Sequence, residues 1–240
     1  MMKKMKWAVL FAALVMMVGF TSCLSNEEGE SYDLIEYVTV SSSYMGYTAL
    51  IGDQSGNTYI PTSTDVLAAL KQTDGNYYPR ALVAIKLTEP FVANKPSYNV
   101  DAIQIYNYVP WRYATTNPDT LANKGDYDFS NLSNSWVKSG YLNIPFEVLV
   151  PANPRLEDFN LYITGSSNDT LYTKLHYSKD NTSAINGMSE MISFRMPDYD
   201  DNYDALYNND SIVVTVKAKG KTGELKSSSK CALRDVMPRY

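Results

Sequence analysis

The sequence predicts an all-β protein, made of a small OB-like barrel with one short helix followed by an antiparallel β-sandwich. Three observations support this prediction. Short runs rich in β-branched and aromatic residues recur along the chain, separated by clusters of Gly, Ser, Asn or Pro. One segment, residues 65–71, has the apolar spacing of a helix. The stretch 114–126 holds almost nothing apolar and therefore marks a domain boundary.

The chain begins with a targeting segment. Lys3, Lys4 and Lys6 precede an apolar run of 14 residues at positions 7–20. A membrane-spanning helix needs roughly 20 residues, so this run is too short to be one. A cationic start followed by a short apolar run is typical of a signal peptide, which we predict over residues 1–22.

A cysteine stands at the end of this segment. The stretch Phe20-Thr21-Ser22-Cys23 resembles a bacterial lipobox. The resemblance implies that the thiol of Cys23 carries a lipid such as palmitate and that Cys23 begins the mature chain. The alternative is an ordinary secreted protein with a chance cysteine. Because two or more acyl chains hold a protein stably in a bilayer, the first expected partner is the membrane.

Residues 23–34 are predicted to form an acidic tether, because residues 24–30 are polar, acidic and free of predicted structure. This stretch resembles the surface-export signal of Bacteroidota lipoproteins. The resemblance implies a protein of the outer membrane that is displayed at the cell surface. A solvated linker on a lipoprotein that faces the periplasm is the alternative.

Composition excludes several classes of function. Loss of residues 1–22 removes three lysines, so the formal net charge changes from −5 to −8. A negative chain repels phosphate backbones, and nucleic-acid partners are therefore not expected. With Cys23 used for lipid, Cys231 has no partner for an intrachain disulfide. The single histidine, His176, excludes a multi-histidine metal site, and no cofactor is expected.

The first domain is predicted over residues 35–113. Asp53 to Asn57 has the turn chemistry of a hairpin, and Ser63 and Thr64 are candidate caps for the helix. Five strands and one short helix are the element count of an OB-like barrel. The predicted strands are residues 37–40, 47–53, 57–60, 80–87 and 99–109.

After a linker at 114–126, the second domain is predicted over residues 127–240. Pro145 lies inside a strand and indicates an edge strand or a bulge. Short strands, frequent turn signals and no helix favour an antiparallel sandwich. The predicted strands lie around Trp136 and at residues 141–150, 159–164, 170–177, 191–195 and 211–218.

The stretch Trp136 to Ile144, with the sequence WVKSGYLNI, resembles a signature of the NigD-like lipoproteins of Bacteroidota. A Thr-Tyr-Ile-Pro stretch at residues 58–61 fits the same order of elements, which is lipobox, acidic tether, OB-like domain and β-sandwich. The insertion at residues 198–204 and the Pro-rich turn at 151–154 depart from the pattern. The family takes its name from a bacteriocin gene cluster, so the resemblance implies bacteriocin immunity or envelope binding.

The only histidine is predicted to face solvent. His176 shares one face of a strand with Tyr172 and Lys174, opposite Leu171 and Leu175. No Gly-x-Ser-x-Gly elbow accompanies any serine, so a histidine-dependent triad is not expected.

Cys231 has two interpretations. Lys230 beside it and Arg234 near it could lower its pKa and make it a nucleophile. A small buried or half-buried residue is the favoured interpretation. The sequence thus predicts no enzyme; the rival is a glycosidase-like envelope hydrolase that uses an unidentified carboxylate pair.

Side-chain oxygens alternate at positions 198, 200, 202 and 204, and the acids among them, Asp198, Asp200 and Asp204, are a weak calcium candidate. Tyr203 stands where a calcium loop has its turn glycine, and Asn209 where it has a bidentate glutamate. A solvated acidic loop is therefore the favoured interpretation.

Three triplets match the Asp-Ser/Thr-apolar sequon that Bacteroidota use for O-glycosylation. Their acceptor residues are Thr120, Thr170 and Ser211. Thr120 lies in the predicted linker and is the preferred site.

One pair of tyrosines is a candidate ligand platform. Tyr106 and Tyr108 share one strand face, while Ile103, Ile105 and Val109 share the other. Exposed aromatic residues on an OB-like barrel hold sugars, bases or peptides. The expected partner is a surface glycan or a protein. The alternative is that both rings pack against the second domain or the linker.

Overall fold

The fold was analysed in a computed structural model. It describes residues 24–25, 31–42, 48–116, 125–151, 154–179, 183–184, 186–198 and 201–237. The predicted signal peptide, Cys23, Thr120 and Asp200 lie outside the described residues. In the described part of the chain, no helix is both long and apolar enough to cross a bilayer.

The chain divides into two compact units, and the second begins at Tyr108. The sequence placed the end of the first domain later, at residue 113. The difference arises because Trp111–Tyr113 forms a strand that pairs inside the second unit.

The first unit contains a closed five-stranded barrel with the strand order β3-β4-β5-β7-β6. Neighbours are antiparallel at β3–β4, β3–β6 and β4–β5, and parallel at β5–β7. A 3-10 helix lies between the third and fourth barrel strands, as in an OB-like barrel. The elements are β1 (Leu24–Ser25), β2 (Ser31–Tyr32), β3 (Leu34–Ser42), β4 (Thr48–Gly52), β5 (Thr58–Pro61), the 3-10 helix (Thr64–Leu70), β6 (Arg80–Leu87) and β7 (Ser97–Tyr108).

The barrel is filled by the alternating apolar side chains of its strands. Val38, Leu50, Tyr59, Val83 and Ile85 are all fully buried. The predicted helix forms as a 3-10 turn, without a side-chain cap, and contributes Leu67 and Leu70 to this core.

Part of the predicted tether is ordered. Leu24 and Ser25 pair with Tyr32 and Ser31 as an antiparallel ribbon, so these two residues of the predicted tether are in a strand. The backbone hydrogen bonds of this ribbon oppose the extension that acidic composition favours. Asp33 continues the connection, since its N–H donates to the Ile85 carbonyl at 2.9 Å.

A buried ion pair holds the turn between β4 and β5. Arg80 and Asp53 are 0% and 1% exposed, and the guanidinium donates to both carboxylate oxygens at 2.7 and 2.5 Å. Arg80 also donates to the Thr39 hydroxyl at 2.6 Å. The charge of Arg80 is therefore matched within the barrel, as a buried ion must be.

Glu36, on β3, forms hydrogen bonds with the same turn. It accepts hydrogen bonds from the Tyr59 hydroxyl, from the Ser55 hydroxyl at 2.9 Å and from the Gln54 N–H at 3.2 Å. A Cβ on Gly52 would lie 2.4 Å from the Glu36 oxygens, so a larger residue there would displace the Glu36 carboxylate from these hydrogen bonds. Burial and the charge of Glu36 raise the pKa of Tyr59, which keeps its hydroxyl a neutral donor.

The second unit is also mostly strand. Its nine strands are hydrogen-bonded in the order β12-β13-β15-β9-β11-β14-β8, with β10 paired to β11 and β16 to β15. The elements are β8 (Trp111–Tyr113), β9 (Phe129–Leu132), β10 (Trp136–Lys138), β11 (Tyr141–Val150), a 3-10 helix (Leu156–Asp158), β12 (Phe159–Ser167), β13 (Thr170–Tyr177), β14 (Asn186–Arg195), a 3-10 helix (Asp201–Leu206), β15 (Ser211–Gly220), β16 (Gly223–Ala232) and α1 (Leu233–Val236).

The prediction of an all-β fold is confirmed, and most strand pairs of this sheet are antiparallel, although it also contains parallel pairs that the sequence did not predict. β13 pairs with β15 in parallel, and β14 pairs with β8 in parallel. The chain leaves β13, forms β14 elsewhere in the sheet and returns as β15, which is the crossover that a parallel pair requires. β15 reaches β9 at one register pair only, Gly220 with Phe129.

Aromatic rings form the centre of the second core. Phe159 and Tyr177 stack with ring centroids 4.8 Å apart, and Phe146 lies 5.0 Å from Phe159. Phe129 meets the edge of Phe146 at 5.3 Å. Such offset and edge contacts add about 0.5–1.5 kcal/mol per pair to the gain from burial.

Pro145 does not lie on an edge strand, because β11 pairs with β14 on one side and with β9 and β10 on the other. The partner changes from β10 to β9 next to Pro145, so its missing N–H breaks no ladder there. The register with β9 shifts between Glu147 and Val148, but the extra residue there is Ser130 of β9, so β11 itself does not carry the predicted bulge.

We expect Arg80→Ala to destabilise the first unit strongly, because it leaves the Asp53 carboxylate buried without its cation. The free energy of unfolding should fall by about 3–5 kcal/mol. Urea unfolding of the mature chain measures this loss. Glu89→Gln is the control, because it removes the acid of the exposed Lys95–Glu89 pair and should cost at most about 1 kcal/mol. Equal losses in the two variants would contradict the role of the buried pair.

Candidate functional site

An open depression of about 410 Å³ lies in the second unit, and its lining comes from two segments of chain. One segment is β8. The other is the 3-10 helix Leu156–Asp158. The lining residues are Trp111, Arg112, Tyr113, Leu156 and Glu157. We call this depression the aromatic pocket.

Arg112 joins the two segments. Its guanidinium donates to the Phe159 carbonyl at 2.7 Å and to the Leu156 carbonyl at 3.3 Å. On the other side, β8 is fixed to β14 in register, with Trp111 beside Ser193. The pocket wall is therefore held by main-chain and guanidinium hydrogen bonds.

The 3-10 helix at the rim is stabilised by hydrogen bonds between Asp158 and Arg155. Asp158 is 5% exposed, and its carboxylate accepts the Arg155 N–H at 3.1 Å. The Asp158 N–H donates to the Arg155 carbonyl at 3.0 Å in return. This reciprocal bonding leaves Leu156 partly exposed at the rim and fixes its position.

Edge-on contacts between aromatic rings fix the ring orientations in the pocket. Trp111 meets Tyr113 edge-on at 5.2 Å and Tyr141 edge-on at 6.3 Å. The Arg195 guanidinium lies 5.4 Å from the Tyr141 ring centre and pairs with Asp198 at 2.8 Å. Tyr113 itself is 71% exposed, so its ring is available to a ligand.

The residues that line this pocket include no pair of acids for hydrolysis. Glu157 is the only acid among the five lining residues. It is more than half exposed and lies 3.2 Å from Arg155. Glycoside hydrolysis needs two carboxyl groups on either side of the scissile bond. An aromatic floor with a few polar groups is typical of a ligand-binding site.

The structure places Tyr106 and Tyr108 at the end of β7, where they are 50% and 39% exposed. Ile103 and Ile105, on the opposite face, pack against the barrel core. Both tyrosines are exposed, as the alternation of faces predicts, but Asn107 between them is exposed as well. A ligand on these two tyrosines stays a prediction.

His176 does not face solvent, so that prediction is wrong. It is 5% exposed, and its Nε2 lies 4.0 Å from an Asp126 oxygen. The segment that holds Asp126 covers the end of β13, because the Tyr127 N–H donates to the Tyr177 carbonyl and Lys174 pairs with Asp126 at 2.6 Å. Strand periodicity cannot reveal such a covering segment.

Cys231 is half-buried, as the favoured interpretation had it. Burial, and then the charge of Asp235, raises the pKa of its thiol to about 12. The lowered pKa expected from Lys230 and Arg234 is therefore not found. A thiol that stays protonated is a poor nucleophile.

The calcium candidates are divided by the structure. Asp198 pairs with Arg195, Asp200 lies outside the described residues, and Asp204 is on the 3-10 helix Asp201–Leu206. This helix buries Tyr203 and Leu206 in the core, so the acidic insertion is also a packing element. Among the described residues, no group of three His, Cys, Asp or Glu side chains could hold a metal.

Two of the three glycosylation candidates are described. Thr170 and Ser211 are half-buried, at the first positions of β13 and β15. The Thr170 hydroxyl donates to Asp169 at 3.0 Å. Modification of Thr120, Thr170 or Ser211 stays a prediction.

The residues of the aromatic pocket were not among the sites predicted from the sequence. A signal was present, since Pro110-Trp111-Arg112-Tyr113 combines two aromatic residues with an arginine directly after a proline. The contribution of Leu156 and Glu157, more than 40 positions later, depends on tertiary structure.

Comparison with solved structures shows the fold over most of the chain. A Parabacteroides distasonis protein, provisionally described as toxin-related, has a TM-score of 0.53 and 20% identity, covering 83% of this chain and 93% of that one. A Bacteroides fragilis protein, provisionally described as a lipoprotein, has a TM-score of 0.51 and 14% identity, covering 83% and 97%.

One further structural neighbour is described as NigD-like, which is the family that the sequence resembles. It is a NigD-like immunity protein from Bacteroides caccae, with a TM-score of 0.46 and 16% identity, covering 83% of this chain and 97% of that one. No protein-family model matches the sequence, and no curated protein does.

We expect the Cys231 thiol to react slowly in the folded protein, because its raised pKa keeps it protonated at neutral and mildly basic pH. With Cys23→Ser present, Cys231 is the only thiol. Alkylation by iodoacetamide at about pH 8, followed by mass spectrometry, should be at least roughly tenfold slower in the native protein than in urea. Similar rates in the two conditions would show an accessible, ionised thiol.

Proposed function

We propose that the protein is a lipid-anchored protein of the bacterial cell envelope that binds a surface glycan without chemical turnover. The aromatic pocket is the observation that carries this proposal. The pocket has exposed aromatic surface and carries the Glu157 carboxylate at its rim. The hydrogen bond from Arg112 to the Phe159 carbonyl fixes the backbone there.

The chemistry of the pocket suits a sugar better than a purely apolar ligand. A sugar ring has an apolar C–H face and a rim of hydroxyl groups. The first can stack on Tyr113, which has an apolar ring and a polar tip. The second can donate to Glu157 at the rim, whose carboxylate is more than half exposed. Because the pocket is open, it has room for part of a long glycan that extends beyond it.

Arg112 is a positioning residue in this account. Its guanidinium is engaged with main-chain carbonyl groups, so it supports the wall and leaves the recognition of ligand to Tyr113, Trp111 and Glu157. This fits a site that binds through shape and stacking.

The location in the envelope is supported by sequence and by a neighbour. The stretch 20–23 resembles a lipobox. The Bacteroides fragilis structure that shares the fold is provisionally described as a lipoprotein. We place the anchor at Cys23 and the protein at the outer membrane, displayed on the cell surface.

A binding role is also supported by the state of the two most reactive side chains. His176 is packed beneath the Asp126 segment, and the Cys231 thiol has a raised pKa. Neither group lines the aromatic pocket.

We expect Tyr113→Ala to weaken glycan binding by roughly ten- to a hundredfold, if a sugar gains about as much from an aromatic platform as a stacked base does. The mature protein is first screened on an array of bacterial envelope glycans, and the affinity for the best glycan is then measured by titration calorimetry. Tyr207→Ala is the control, because Tyr207 is a 41% exposed tyrosine of the same unit outside the pocket.

The double variant Tyr106→Ala with Tyr108→Ala tests the other candidate platform. Full affinity in this variant and weak binding in Tyr113→Ala would support the aromatic pocket. Weak binding only in the double variant would move the site to the end of β7. Full affinity in every variant would contradict both platforms.

A further inference from the structure

The first residues of the mature chain lie beside one particular end of the barrel. β1 pairs with β2, so Leu24 is opposite Tyr32, which is 6% exposed. The next residue, Asp33, is bonded to the end of β6, because the Leu87 N–H donates to its carboxylate at 2.7 Å. Leu24 is therefore tied, through β2, to the point where β6 ends.

The same end of the barrel presents two apolar side chains to solvent. The loop of residues 88–96 follows β6 directly, and in it Phe91 and Val92 are 53% and 57% exposed. Exposed apolar groups that lie next to each other indicate a contact surface more often than single ones do. We call residues 88–96 the apolar loop.

The apolar loop is held in place by Tyr98, which is 1% exposed. The Val92 N–H donates to the Tyr98 hydroxyl at 2.9 Å, and that hydroxyl donates to the Val92 carbonyl. The Phe91 ring stacks on the Tyr98 ring, with centroids 5.3 Å apart and planes 12° from parallel. The exposure of Phe91 and Val92 is thus a fixed feature of the loop.

A cation lies next to this apolar surface. The Lys95 ammonium is 5.1 Å from the Tyr98 ring centre and 2.5 Å from Glu89. Long basic side chains near apolar groups are common where a protein meets lipid headgroups, because the stem is apolar and the tip is charged.

We propose that the apolar loop rests in the headgroup region of the bilayer that holds the protein's own acyl chains. The inference depends on the proposed lipid anchor. Cys23 is joined by a peptide bond to Leu24, so the acyl chains start one residue from the strand that pairs with Tyr32, and Tyr32 directly precedes the residue bonded to the end of β6. A bilayer held this close is present at high effective concentration, and a weak second contact then suffices. The loop fixes which end of the barrel faces the membrane.

Depth-dependent fluorescence quenching tests this contact. The acylated mature protein is reconstituted in vesicles of phosphatidylethanolamine and phosphatidylglycerol, with or without bromine on the acyl chains. Phe91→Trp places an indole in the loop. Tyr106→Trp is the matched control, an exposed aromatic position eight residues beyond Tyr98 on β7, or roughly 25 Å along an extended strand.

Brominated lipid should quench the emission added by Phe91→Trp about twofold, since an interfacial side chain lies within roughly 5–10 Å of the acyl boundary. The emission added by Tyr106→Trp should change no more than that of the parent protein. Val92→Asp, combined with Phe91→Trp, should remove most of the quenching, because a carboxylate is costly in the interface and the Val92 backbone bonds are retained.

Other outcomes would overturn the proposal. An intact mass without acyl groups on Cys23 would remove both the anchor and the loop contact. An acylated protein in which Phe91→Trp is not quenched would overturn the loop contact and leave the proposed function intact. A dimer that forms with rising concentration and shields the Phe91→Trp indole equally with both lipids would show that a second copy covers the loop.

Discussion

The buried contacts of Arg80 and Glu36 are the constraint on which the first unit depends. Both groups are withdrawn from water, and each is acceptable there only because its hydrogen bonds are made. Together they fix the turn between β4 and β5 against β3 and β6. β5 starts directly after this turn, and its Thr58 N–H donates to the Pro96 carbonyl at 2.9 Å. The polar network therefore also sets the base of the apolar loop, which ends at Pro96.

The second unit obtains its site in a different way. Its core is aromatic. Its sheet curves so that the two strands at its ends, β12 and β8, come close together. After β8, the Thr115 N–H donates to the Leu161 carbonyl at 2.9 Å, and the Ile163 N–H donates to the Thr115 carbonyl at 2.9 Å. The aromatic pocket lies beside this junction. The chain pairs with β14 along β8 and reaches β12 at Thr115, shortly after the three pocket residues of β8.

Much of the architecture could be predicted from sequence. β6, β11 and β13 have the bounds that their β-branched and aromatic runs predicted. β16 was missed because Gly223–Ala232 is rich in serine and lysine and mostly exposed, so it lacks an apolar signal. The parallel pairs could not be predicted either, because strand direction depends on crossover connections.

The functional residues were harder to predict than the strands. The exposure of Tyr106 and Tyr108 followed from strand alternation, but the burial of His176 depends on a segment 50 positions away in sequence. The Arg80–Asp53 pair and the contacts of Glu36 likewise join residues that are far apart in sequence. Tertiary contacts of this kind leave no local pattern.

The position of the anchor is the central claim of this account, because it links the barrel to the membrane. Hydrogen exchange of residues 24–33 in the acylated protein, followed by mass spectrometry, tests it most directly. The ribbon of β1 and β2 should slow exchange well below that of an unstructured peptide, and vesicles should slow exchange in residues 88–96 as well. Exchange of residues 24–33 at the unprotected rate would instead indicate a free tether and would contradict the account.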